Sequence, residues 1–106
     1  MNKEKFIEGL QSDISFTEEE RDEILKKNAY KTGQIINTFI AAEELAELQI
    51  ALSKHFRNHG DTYEILEEMA DVYITLRVLG LTFDISNDAF QKAIDVKLKR
   101  VKERLG

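Results

Sequence analysis

The chain has no cysteine, no proline and no tryptophan, and only five glycines and two histidines in 106 residues. Without cysteine, disulfides and thiolate metal sites are excluded. With His55 and His59 as the only histidines, a zinc site is not expected either. Proline and glycine are the usual punctuation between short strands. Their scarcity, beside abundant Leu, Ile, Ala, Glu and Lys, favours long helices over sheets. No apolar run approaches the ~20 residues a bilayer span needs, and no charged-then-apolar leader opens the chain, so no membrane association and a cytoplasmic location are expected. The formal charge of -5 argues against a nucleic-acid binder, which needs a positive footprint. It leaves room for a small anionic ligand received by a cation or a local basic patch, and its plainest meaning is solubility.

What is present reads as helices. Met1 to Ser15 is weakly organised, with Phe6, Ile7 and Leu10 able to make one amphipathic turn or two. Thr17 followed by Glu20 is a capping-box start for a helix to about Asn28. Gly33 marks a bend. A long helix is predicted from about Gln34 to Arg57, stopped at Asn58-His59-Gly60, where glycine supplies the left-handed conformation. Asp61 with Glu64 opens a helix running to about Leu79, ended by Gly80. Ser86 or Asn87 caps a last helix to about Arg104. The expected fold is all-α, a compact antiparallel helical bundle, with residues 1–29 as a helical extension and residues 30–106 as the main unit.

Two acidic pairs stand out. Glu43, Glu44 and Glu47 lie in AAEELAEL, and Glu67, Glu68 and Asp71 in EEMADV. Glu44 and Glu47 are three residues apart, as are Glu68 and Asp71, so each pair shares a helix face. At ~100° per residue, Glu47 falls within about 40° of Ile36, Ile40 and Ala51, and Glu68 shares an arc with Ile65, Val72 and Leu79. The acids are therefore expected to lean into the bundle, and closing the hairpin brings four carboxylates level. Unpaired buried ions each cost several kcal/mol, so a hard divalent cation is the natural neutraliser. Mg²⁺ suits oxygen ligands and phosphates best, with Mn²⁺ as a substitute. A di-iron site would need Glu-x-x-His on two helices, and neither acidic motif has that histidine. One such pair alone would be ordinary surface charge.

The last helix carries Phe90, Ile94, Leu98, Val101 and Leu105 on one face, with Lys97, Arg100 and Arg104 on an adjacent arc. Lys97 and Arg100 are suited to phosphate oxygens, and Lys54 and Arg57 could reach them too. The plainer reading of Lys102 and Arg104 is that they complement the helix dipole. The histidines are assigned no chemistry.

These residues resemble those of the MazG-like all-α nucleoside triphosphate pyrophosphatases. The likeness rests on Glu43-Glu44-Leu45-Ala46-Glu47 followed by Glu68-Met69-Ala70-Asp71, and on the Lys-x-x-Arg-x-x-x-Arg pattern of Lys97, Arg100 and Arg104, and it runs from about Tyr30 to the C-terminus. Where many relatives carry glutamine four residues after a glycine, Gly33 is followed by Asn37, which is shorter. The resemblance implies Mg²⁺ held by Glu44, Glu47, Glu68 and Asp71. It implies Glu43 or Glu47 as a water-orienting base, Asn37 as a base- or sugar-binding amide, and Lys97 and Arg100 on the phosphates. The implied reaction cleaves a nucleoside triphosphate between its α and β phosphates. A non-catalytic helical interaction module and a nucleotide-binding regulator remain as alternatives.

Independently of that likeness, Ala41, Leu45, Leu52 and Phe56 lie opposite Glu47, and Leu66, Ala70, Tyr73 and Ile74 lie away from Glu68. Two apolar faces per helix exceed what one small bundle buries. A homodimer, or a tetramer built from dimers, is expected, unless the N-terminal segment covers the second face.

Overall fold

Local capping chemistry sets most of the helix starts. Thr17 accepts from the Glu20 N–H while Glu20 accepts from the Thr17 N–H, a complete capping box. Asp61 accepts from Glu64 N–H and Ser86 from Ala89 N–H. The computed structural model describes residues 3–57 and 61–106. It contains five helices: α1 (Lys3–Leu10), α2 (Glu18–Thr32), α3 (Gln34–Phe56), α4 (Thr62–Thr82) and α5 (Asn87–Leu105). No strand occurs among the described residues. The stop expected at Asn58-His59-Gly60 lies outside them. No helix is long and apolar enough to cross a membrane among the described residues.

Two boundaries differ from expectation. The second helix continues past Asn28 to Thr32, because Ala29 is buried with Leu25 and Val78 and the chain turns only at Gly33. Gly33 has φ 85° and ψ 163°, a conformation open in practice to glycine alone, so α3 begins at the next residue. Gly80 lies inside α4 and does not end it. Its carbonyl accepts from Ile85 N–H at 2.8 Å, and a Cβ there would sit 3.2 Å from the Ile85 carbonyl oxygen. The glycine therefore lets the chain fold back closely after α4, through Asp84 at φ 56°.

α3 and α4 make the main contact and run antiparallel: the start of α3 bonds the end of α4 through Asn37 and Thr82. α2 packs on α4 and, less extensively, on α3, and α1 rests on α4. Since α2 supplies Leu25 and Ala29 to the buried cluster with Val78, the packed unit starts before residue 30. α5 touches α4 alone, and from Asp95 to Gly106 every residue is exposed. This departure makes the chain extended: its radius of gyration is 16.0 Å, against about 13 Å for a compact chain of this length.

The inward stripe of α3 is Asn37, Ala41, Glu44, Leu48 and Ala51, at helical spacing. Ile36 and Ile40, expected on that face, are largely exposed, and so is Glu47. On α4 the inward set matches the arc drawn from Ile65, Glu68, Val72 and Leu79, with Thr75 and Val78 added. No large side chain is fully buried among the described residues.

Candidate metal centre

α3 supplies Glu44 to the α3–α4 seam, and α4 supplies Glu68 and Asp71 one turn apart. One carboxylate oxygen from each of Glu44, Glu68 and Asp71 lies within 4.8 Å of the others. Glu68 is 7% exposed, and its Oε2 is buried with no hydrogen-bond partner. A buried, unpaired carboxylate oxygen is costly, and the cost is raised by placing two more acids beside it. Burial, then the charges of Asp71, Glu44 and Glu47, push the Glu68 carboxyl above the ordinary glutamate range. Glu44 is pushed up by burial, then by Asp71 and Glu47. Burial raises Asp71.

Lys3 and Lys54 line the groove beside Glu68, but neither is ion-paired to Glu44, Glu68 or Asp71 among the described residues. The ion pairs among the described residues join Lys3 to Asp61, Arg21 to Glu18, and Arg77 to Glu18 and Asp22. None reaches the cluster. Three carboxylate oxygens grouped together, one of them from a residue with an orphaned buried oxygen, are a donor set that a divalent, oxygen-preferring cation could share.

The remaining residues singled out in the sequence fall into three groups. Glu47 stands at the rim, near enough to raise Glu44 and Glu68 but outside the group of three. It lines a polar groove with Lys54, Glu64, Glu67 and Glu68. Glu43 is exposed on the outer side of the same helix. Asn37 is 3% exposed and lines a second groove, with Glu44 and Asp71. Its amide nitrogen is committed to Ala29 O at 3.0 Å and Thr82 Oγ1 at 3.1 Å. It therefore ties α2, α3 and α4 together beside the acids. Arg57 is exposed where α3 ends. Lys97, Arg100 and Arg104 line a shallow surface made of α5 residues alone, and neither groove at the acids includes any of them.

The burial of Glu67, named among the acids but given no role, and one ion pair were not assigned from the sequence. Glu67 is as buried as Glu68, and burial followed by Asp71 raises its carboxyl. Its position four residues before Asp71 was a visible signal. Arg77 is held by Asp22 of α2, 55 residues away, and no local pattern announces that pair.

Comparison with protein-family models, with curated proteins and with solved structures finds no match.

Proposed function

We propose that the chain is a Mg²⁺-dependent nucleoside triphosphate pyrophosphohydrolase, cleaving between the α and β phosphates to give a nucleoside monophosphate and pyrophosphate. The observation that carries the reading is Glu68, with one carboxylate oxygen buried and unpartnered, grouped with the carboxylates of Glu44 and Asp71. An acidic set that leaves its own charge unanswered is suited to a divalent cation bearing phosphate oxygens. The resemblance in the acidic motifs supplies the reaction.

In this reading Glu44, Glu68 and Asp71 hold Mg²⁺, or Mn²⁺ in its place, with Glu47 joining from the rim. The metal supplies charge neutralisation at the phosphoryl oxygens. Glu47 or Glu43 orients a water and accepts its proton as the water oxygen bonds to the α phosphorus and the α–β bridging oxygen leaves with pyrophosphate. Asn37 borders the groove beside Glu44 and Asp71, where its side-chain oxygen is the atom left for a nucleoside donor. Lys54 borders the other groove, as a cation for the outer phosphates.

The proposal includes an antiparallel bundle completed by a second copy. Leu45, Leu66, Tyr73 and Ile74 are between 44% and 51% exposed on the hairpin, a surface that hairpins packed together would cover.

A panel of ribo- and deoxynucleoside triphosphates, assayed for pyrophosphate release with Mg²⁺, tests the reading. Release is expected with at least one, and Asp71→Asn should lower it by more than about 100-fold while leaving helix content unchanged. No release with any nucleotide, or full activity in Asp71→Asn, would remove the proposal's basis.

A further inference from the structure

We infer that Lys3, carried by α1, is a phosphate-binding residue of the acidic groove, set to take the outer phosphates of a metal-bound nucleotide together with Lys54. The identity of the ligand rests on the hydrolase reading; the layout of the groove does not.

α1 contributes little to packing. It has no buried residue, only Phe6, Ile7 and Gly9 are partly buried, and residues 11–17, which join it to α2, are exposed throughout. What α1 does bring is Lys3. Its ammonium pairs with Asp61, the cap of α4, and its side chain lines the groove with Lys54, Glu47, Glu64, Glu67 and Glu68. Lys3 and Lys54 are the two cations of that groove, and they come from different helices.

Their height along the seam fixes what they face. Lys54 follows Glu47 by seven residues, and Asp61, which holds Lys3, precedes Glu68 by seven. Both cations therefore stand about 10 Å from those acids, towards the end of α3 and the start of α4. Asn37 precedes Glu44 by seven residues, in the opposite direction, and borders the groove that holds Glu44 and Asp71. The seam thus has an order: an amide, three grouped carboxylates, two cations. A nucleotide whose inner phosphates share the metal then has its nucleoside at Asn37 and its outer phosphates at Lys3 and Lys54, each a flexible point charge.

Asp61 holds Lys3 only lightly against this. The two side chains are 49% and 38% exposed, and so open an ion pair adds little to stability. When Lys3 leaves, Asp61 still accepts from Glu64 N–H, so the exchange orphans no capping bond. A phosphate group, with more negative charge than a carboxylate, is the stronger partner.

Binding of inorganic pyrophosphate in Mg²⁺, followed by calorimetry, tests the role without turnover. Lys3→Ala should weaken binding about tenfold, and Lys3→Arg should hold it within about twofold. Asp61→Asn separates phosphate binding from the fastening of α1. Asparagine still caps α4 but offers Lys3 no charge, so affinity should stay level or rise by up to about threefold. If Lys3 acts only by pinning α1, Asp61→Asn weakens binding as much as Lys3→Ala does, and the inference falls. It falls equally if the native chain binds no pyrophosphate, or if Lys3→Ala binds it as tightly. With a nucleotide that is hydrolysed, Lys3→Ala should raise KM about tenfold and change kcat by less than about threefold, since outer phosphates are held alike before and during cleavage. Pyrophosphate binding that depends on Lys3, in a protein that hydrolyses no triphosphate, sinks the hydrolase reading alone. A hydrolase indifferent to Lys3→Ala sinks the role of Lys3 alone.

Discussion

α4 takes charge out of water at two places, six to nine residues apart, and settles them in opposite ways. At Arg77 the guanidinium side chain is 17% exposed and paired, to Asp22 and more distantly to Glu18, both on α2. Hydrogen bonding to Tyr73, followed by the charge of Asp22, outweighs burial and keeps Arg77 firmly protonated. At Glu68 and Asp71 burial is comparable but the nearest charges have the same sign. The first place is a joint that fastens α2 to the hairpin. The second brings like charges together with no ion pair among the described residues to offset them.

Three measurements of stability sharpen this contrast. The largest effect is expected from the ion. If Glu44, Glu68 and Asp71 share a cation, Mg²⁺ at one hundred times its dissociation constant should add about 2.7 kcal/mol to unfolding. A urea midpoint unchanged by Mg²⁺ would make the acids ordinary surface charge. Next comes the joint. Arg77→Met removes the link to α2 and leaves Asp22 half-exposed, so the loss is about 2 kcal/mol, less than for a fully buried pair; the same Mg²⁺ gain should remain. Smallest of the three, and opposite in sign, is Glu68→Gln. In chelator it relieves repulsion and should add about 1 kcal/mol, while abolishing most of the Mg²⁺ gain. Loss of stability in both variants would erase the distinction between the two places.

How much of this was legible in the sequence depends on whether the cause was local. The all-α class, the Thr17–Glu20 box and the caps at Asp61 and Ser86 were readable, because each is fixed within four residues. The pairing of Glu68 with Asp71 was readable for the same reason. The phase of α3 was not. Ile36 and Ile40 lie on one side and Ala41 and Leu45 on another, so periodicity offered two apolar faces. The choice fell to packing: small Ala41 and Ala51 let α4 approach, and that turned Glu44 inward and left Glu47 at the rim. Gly80 misled for a related reason, since its missing side chain serves the approach of Ile85 and not a helix end. The exposed second half of α5 was invisible because an apolar stripe reads the same in sequence whether or not its own chain packs against it.

The acidity of the seam yields one more expectation, with its sign fixed by the direction of the shifts. In the folded chain the carboxyls of Glu44, Glu67, Glu68 and Asp71 are all held above their ordinary range. The folded state therefore binds protons more tightly than the unfolded chain. Stability from this source is fully present below the ordinary carboxylate range and is lost as pH rises through the raised values. The caps act oppositely: Asp61, bonded to Lys3, and Glu20, bonded to Thr17, are held low, and they favour the fold only above the ordinary range. The two contributions separate by comparison with Glu68→Gln, which alters the seam and leaves the caps untouched. In chelator, the native chain should lose urea resistance relative to this variant as pH rises from about 5 to 8. In Mg²⁺ the trend should reverse, because the cation competes with protons for the same oxygens and binds better as they leave. A difference that stays flat with pH in both conditions would mean that Glu68 is solvated well enough to carry its charge unaided, and the seam would then have nothing to offer a cation.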